Sequence, residues 1–188
     1  NQLISKEAAG GKSVVVIEKG EPKSCNIVTS CEGKGKTFIM FSDDLDKALA
    51  TFVLANGAAA TGQKVTIFFT FWGLNVIKKL HKPNVEKDIF GKMFGMMLPS
   101  SSRKLKLSKM SMGGIGGKMM RYIMNRKGID SLESLRQQAL ENGVEFIACQ
   151  MSMDVMGVKQ EELLDEVTIG GVATYMERAD NANINLFI

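Results

Sequence analysis

Two uninterrupted apolar runs, residues 37–41 (TFIMF) and 65–70 (VTIFFT), flank a segment of helical spacing. A strand that is apolar at every position must be covered on both faces, and that is the pattern of a parallel sheet. Between the runs, Leu45, Ala48, Leu49, Phe52, Val53 and Ala59 recur at helical intervals. Ser42, Asp43 and Asp44 supply N-cap chemistry and Gly62 supplies a stop. Strand, helix and strand at this length predict a right-handed parallel crossover.

The rest of the chain repeats this theme. Residues 131–142 predict an amphipathic helix with Leu132, Leu135 and Ala139 on one face, capped by Asp130 or Ser131 and stopped by Gly143. Residues 144–149 predict a third buried strand, 160–166 a short helix and 167–169 a fourth strand. Gly170 and Gly171 open a helix to about Asp180, and residues 184–188 close the chain as a fifth strand. Strands alternating with helices predict an α/β fold, a flavodoxin-like three-layer sandwich with a five-stranded, mostly parallel sheet. A long insertion, 71–127, follows the second strand, with short helices expected near 89–97 and 117–125. In the common strand order 2-1-3-4-5, strands one and three are neighbours, and their carboxyl ends carry Ser42, Asp43 and Cys149.

This α/β domain is expected over 36–188. Residues 1–35 read as a separate β-ribbon (3–5 and 13–18 around Gly10 and Gly11) and a polar linker. Apolar residues make up 45% of the 188 and charged residues 23%, which is the balance of a water-soluble globular chain. No apolar run approaches the ~18 residues of a spanning helix, and no secretory signal is visible. Three cysteines without close spacing argue against a disulfide scaffold and favour a reducing, cytoplasmic setting.

Charge is unevenly placed. Residues 78–127 hold thirteen of the 24 basic side chains and two of the 20 acidic ones. Such polarity attracts an anionic partner or a neighbour's acidic face; a solvated basic loop with no partner is the alternative reading. Lys118 and Arg121, which follow the glycine cluster 113–117, are candidates for that contact, although the cluster matches neither the P-loop nor GxGxxG. The glycines read better as a hinge or lid. Basic segments rich in Met and Leu also suit peripheral membrane contact. No nucleic-acid partner is expected. Eleven of the thirteen methionines fall either in the insertion or just after Cys149, as gap-filling core or as an adaptable rim.

Cys149 ends its strand and is followed at once by a helix-competent stretch. A thiol there lies where α/β proteins place chemistry, and the helix's free N–H groups favour the thiolate. Inert packing is the alternative reading of a buried free cysteine. Cys25 and Cys31 have no ligand spacing, and the single histidine, His81, has no sequence link to Cys149. Neither a metal nor a cofactor is called for.

The stretch 146–157 (FIACQMSMDVMG) resembles the cysteine motif of DsrE/DsrF-like sulfur-carrier proteins, closest to the branch often fused to rhodanese-like and TusA-like domains. Residues 38–48 and 112–135 support the resemblance, which spans about 36–188. Residues 1–20 resemble the closing strands of a TusA-like domain. The resemblance implies a flavodoxin-like fold, homo-oligomerisation and a persulfide carried on Cys149. Some relatives use a second cysteine in the domain; none lies between Gly33 and Ala148 here.

The leading expectation is therefore a sulfur-relay protein. Cys149 takes sulfur from a donor persulfide or thiosulfonate and passes it to an acceptor thiol. Ser42, Asp43, Gln150, Met151, Ser152, Met153 and Asp154 form the expected rim or orient the loop. Donor and acceptor proteins are expected to be rhodanese-like or TusA-like. Two alternatives stand beside it: a nucleotide- or flavin-binding module, and a non-catalytic oligomeric adaptor.

Overall fold

The computed structural model describes residues 35–80, 93, 98–109 and 114–188. The chain divides into two units, Asn1–Cys31 and Glu32–Ile188. The expected ribbon and linker, Cys25, Cys31, His81 and most of the expected helix at 89–97 lie outside the described residues.

Five parallel strands form one sheet: β1 (Gly35–Met40), β2 (Val65–Phe69), β3 (Glu145–Cys149), β4 (Thr168–Gly170) and β5 (Ala182–Phe187). Among the described residues five α-helices accompany them: α1 (Leu45–Ala60), α2 (Ile115–Arg126), α3 (Leu132–Glu141), α4 (Gln150–Met156) and α5 (Val172–Asp180). The strand order is β4-β3-β2-β1-β5. The α/β layer fold is as expected, but the order 2-1-3-4-5 is not. β2 lies between β1 and β3, so Ser42 and Asp43 end a strand that does not touch the one ending on Cys149.

This order dictates where the helices go. The chain steps β1, β2, β3, β4 in one direction, then returns from one sheet edge to the other to lay down β5. Right-handed crossovers in the first direction place their helices on one face, and the return places its helix on the opposite face. α1, α3 and the buried side of α4 accordingly cover the first face. The core there includes Phe38, Met40, Phe52, Ile67, Phe69, Leu74, Leu132, Phe146, Met153 and Met156. α5 packs on the second face, against Ile39, Phe68, Ile147 and Cys149.

Local chemistry agrees with most of the expected boundaries. α1 ends before Gly62, whose φ is +76. Ser131 caps α3 by accepting from the Ser134 amide at 3.1 Å. The N-cap of α1 is Asp44, but its side chain does not cap the helix. Its carboxylate accepts from Ser42 Oγ at 2.8 Å, and its amide donates to that oxygen at 3.1 Å.

The start of the insertion is not loop-like. Residues 71–77 form a 3₁₀ segment in which positions 73–77 are buried. Gly73 allows this, because a Cβ there would lie 1.9 Å from the Met40 carbonyl oxygen, while its amide donates to Phe41 at 2.8 Å. The buried Arg136 then donates to the Val76 carbonyl at 2.7 Å, and the Leu164 amide donates to Ile77 at 3.1 Å.

Candidate functional site

Cys149 is the last residue of β3 and the N-cap of α4, as its position in the sequence implied. Strand alternation decides which face its side chain takes. Phe146 and Ala148 belong to the first-face core, so Ile147 and Cys149 point to the second, under α5. There the thiol joins an apolar cluster with Phe68, Ile147 and Tyr175 and is 1% exposed. The thiol expected where α/β proteins place chemistry is therefore enclosed in the single chain. The strand order leaves one return helix over this face, and that helix covers the sulfur.

Tyr175 carries the covering contact. Its ring centroid is 5.2 Å from that of Phe68, and its hydroxyl lies 3.4 Å from Thr37 Oγ1. A second tie holds α5 near the other end of β3. Arg178 donates to Glu145 through Nε at 2.9 Å and Nη2 at 3.2 Å. These bonds, aided by one from Thr66, hold the Glu145 carboxyl below its ordinary range. Beside the thiol, Cys149 is in register with Gly170 of β4. A Cβ at Gly170 would lie 2.8 Å from Ile147 Cγ2 and 3.3 Å from Thr174 Cβ, so glycine is what lets α5 start this close to β3.

The motif after the cysteine divides by helical spacing. Ser152, Met153 and Met156 are buried, whereas Gln150, Met151, Asp154 and Val155 face out. Ser152 lies 2.8 Å from Thr70 Oγ1, which ties the first turn of α4 to the end of β2. Gln150 Nε2 donates to Asp154 at 3.0 Å, an i,i+4 bond along the exposed side. Ser152 thus orients the junction, Met153 belongs to the first-face core, and Met151 is 55% exposed on the rim.

Other expected site residues fall elsewhere. Asp43 accepts from Asn75 Nδ2 at 3.0 Å, in the buried 3₁₀ segment. Burial raises its carboxyl, the Asn75 bond opposes the shift, and the adjacent Asp44 adds to it. Arg121 is committed to Glu133 (3.3 Å) and the Ser102 carbonyl (2.9 Å), so it is not a free anion contact. Lys118 is exposed on α2. Gly116 and Gly117 are buried in that helix, and Gly114 is its left-handed N-cap with φ +96, so described glycines of the cluster build a helix start. A Cβ on Gly117 would lie 3.2 Å from the Leu105 carbonyl of the first-face side, away from Cys149.

Sequence reasoning missed Tyr175, Thr70 and Gly170. Only Gly170 carried a signal, read there as a helix opener. It also missed an aromatic group where the strand order reverses, between β1 and β5. Phe41 lies 5.4 Å from Phe71, 5.7 Å from Trp72 and 5.7 Å from Phe187, and Phe71 has a φ of +47.

Comparison with known proteins adds the lineage. Residues 33–187 match the model of the DsrE/DsrF/DrsH-like family. The uncharacterized protein YrkE of Bacillus subtilis (strain 168) is 44% identical over 155 residues, 82% of this chain and 97% of that protein. The sulfur carrier protein DsrE2 of Allochromatium vinosum is 38% identical over 161 residues, 84% of this chain and 99% of that one. The crystal structure of the ychN protein from E. coli aligns with a TM-score of 0.49 at 11% identity, over 82% of this chain and 99% of that one. With Cys149 at the β3–α4 junction and the matched span reaching from before β1 to the end of β5, the chain belongs to the DsrE/DsrF/DrsH-like family.

Proposed function

We propose that this protein is a sulfur-relay protein that carries sulfane sulfur on Cys149. The observation that carries the reading is the placement of that thiol, at the carboxyl end of a central-sheet strand and the head of α4, in a chain 38% identical to a sulfur carrier. In the loading step, Cys149 Sγ, as thiolate, attacks the outer sulfur of a donor persulfide. A new S–S bond forms, the donor S–S bond breaks, and the donor leaves as a thiolate that takes up a proton. Unloading is the same exchange with an acceptor thiolate as attacker, so no external oxidant or reductant is consumed. Cys149 is the only cysteine among the described residues, so the acceptor is a thiol outside this domain. Donors and acceptors of the rhodanese-like and TusA-like kinds fit this chemistry, and residues 1–20 fit the same system as the end of a TusA-like domain. A reducing cytoplasm would keep Cys149 loadable.

Loading requires α5 to give way over Cys149. The reading also includes a homo-oligomer. β5 is an edge strand with Ile184 and Leu186 exposed on the first face and Phe187 exposed on the second, the face of α5, whose Val172 and Met176 are also exposed. The test is intact-mass and peptide analysis after incubation with a low-molecular-weight persulfide, in a Cys25→Ser/Cys31→Ser background. One added sulfur atom on the Cys149 peptide is expected, and none when Cys149→Ser is added. Equal gain with and without Cys149 removes the proposal.

A further inference from the structure

α2 is built the wrong way round for a helix that meets only water. Its inner side carries Gly116, Gly117 and Met124, which are buried. Its outer side carries Ile115, Met119, Tyr122 and Ile123, exposed by 65%, 50%, 67% and 39%. Ile115, Met119, Tyr122 and Arg126 follow i, i+4, i+7 and i+11, so they form one line along the helix, with Ile123 beside it. Ile129, just past the helix end, is a further 53% exposed. Isolated exposed apolar residues are ordinary, but a continuous stripe of them marks a binding surface.

The charge around the stripe says what binds. Lys118 lies one turn before Tyr122 on the flank, and Arg126 and Lys127 close the helix; all three are exposed. Among the described residues, the acidic side chain that pairs with a base of this helix is Glu133, which holds Arg121 on the inner flank. The surrounding stretch, 78–127, carries thirteen basic residues against two acidic ones. A projecting apolar line with an aromatic ring in it and cations along its margin has the composition of a helix that lies in a lipid headgroup layer. A rigid acidic protein would need a groove shaped to these side chains, whereas lipid deforms around them. Among the described residues no helix is long and apolar enough to cross a membrane.

We infer that the outer face of α2 docks this protein on an anionic membrane surface, through Ile115, Met119, Tyr122 and Ile123 inserted among acyl chains and Lys118, Arg126 and Lys127 set against anionic headgroups. This surface is independent of Cys149, so its test separates from that of sulfur transfer. Full-length protein is sedimented with vesicles of phosphatidylcholine alone and of phosphatidylcholine with phosphatidylglycerol. Binding to the anionic vesicles and its loss in high salt are expected. Met119→Gln with Tyr122→Gln is expected to lower binding about tenfold or more, and Arg126→Gln about fivefold on anionic vesicles only. Sulfur loading of Cys149 in solution stays at the wild-type level in the double variant. Absence of binding to anionic vesicles overturns the inference. So does unchanged binding in the double variant, or a change of oligomeric state in that variant without a change in vesicle binding, which would make α2 a self-association face.

Discussion

If α5 is what keeps reagents from Cys149, then loosening α5 must speed the reaction of the thiol by a calculable factor. Tyr175→Ala is the sharpest perturbation. The side chain is 7% exposed, its ring lies tilted against Phe68 with centroids 5.2 Å apart, and it shares the second-face cluster with the sulfur. Truncating a buried aromatic to Ala costs about 3–5 kcal/mol. α5 is a single thin layer that can partly collapse into the gap, so the low end, about 3 kcal/mol, is the better figure for its docking. When opening is fast relative to alkylation, the rate follows the opening equilibrium. About 3 kcal/mol then raises the alkylation rate of Cys149 by about a hundredfold. Tyr175→Phe keeps the ring and loses only the long 3.4 Å contact with Thr37. A net hydrogen bond of about 0.5 kcal/mol predicts an increase of about twofold.

The assay is iodoacetamide modification followed by peptide mapping in a Cys25→Ser/Cys31→Ser background, with urea unfolding run in parallel. The opening free energy deduced from protection must be smaller than the global stability in the Ala variant, which separates local release of α5 from unfolding. The reasoning fails if Tyr175→Ala alkylates at the wild-type rate, or if Phe and Ala variants react equally fast. Either result would mean that reagents reach the sulfur by a path other than α5.

Three further outcomes follow from the geometry. Ser131→Ala removes the cap on the Ser134 amide and is expected to cost about 1 kcal/mol in urea unfolding, with Ser131→Gly losing less. Gly73→Ala places a methyl 1.9 Å from the Met40 carbonyl oxygen and is expected to destabilise the fold by more than about 3 kcal/mol or abolish soluble protein; a stable variant would refute the close approach. Asp43→Asn tests the buried carboxyl, whose folded pKa is raised by burial and by Asp44 against Asn75 and Lys78. A raised carboxyl costs stability when ionised, and the cost is relieved as pH falls through the folded value towards the unfolded one near ~3.9. The Asn variant is therefore expected to be the more stable at pH 7, its advantage shrinking as pH falls towards 4, and a pH-independent difference would contradict the burial of this group.

Much of this layout was legible from apolar runs, because a strand buried on both faces leaves no alternation to misread. β1, β2 and β3 stand where residues 37–41, 65–70 and 144–149 put them, to within about two residues at either end. Cys149 was legible for the same reason: a thiol ending such a run can only lie at the carboxyl edge of the sheet. Strand order was not legible, since parallel strands of like composition carry no mark of their neighbours, and Ser42 and Asp43 were assigned to the thiol on that assumption. Arg121 was misread because its partner Glu133 lies in a different helix, and spacing along one helix cannot announce it. Tyr175 sits in an amphipathic segment whose other large apolar residues, Val172 and Met176, are exposed, so the pattern gave no hint of which one faces the sulfur.

Topology also explains why a relay thiol would be buried at rest. Because the return from β4 to β5 is the one crossover that runs against the others, among the described residues one helix of nine residues covers the second face, tied by Tyr175 and the Arg178–Glu145 pair. Over the middle of the first face α1 and α3 pack together, tied by the bond from Asn56 Nδ2 to the Leu135 carbonyl. A carried persulfide must be shielded from stray thiols between partners and yet reach a partner's thiol when one docks, since exchange needs direct access to the outer sulfur. Placing the cysteine on the thinly covered face meets both needs, provided that partner contact and release of α5 are coupled. In that arrangement the exposed rim residues Gln150, Met151 and Asp154, which cover none of the core, are where a partner would first touch. Met151→Lys should then slow sulfur transfer from a protein donor while leaving loading by a small persulfide unchanged. Equal slowing with both donors would place Met151 in the chemistry of the thiol itself and end the argument for a docking rim.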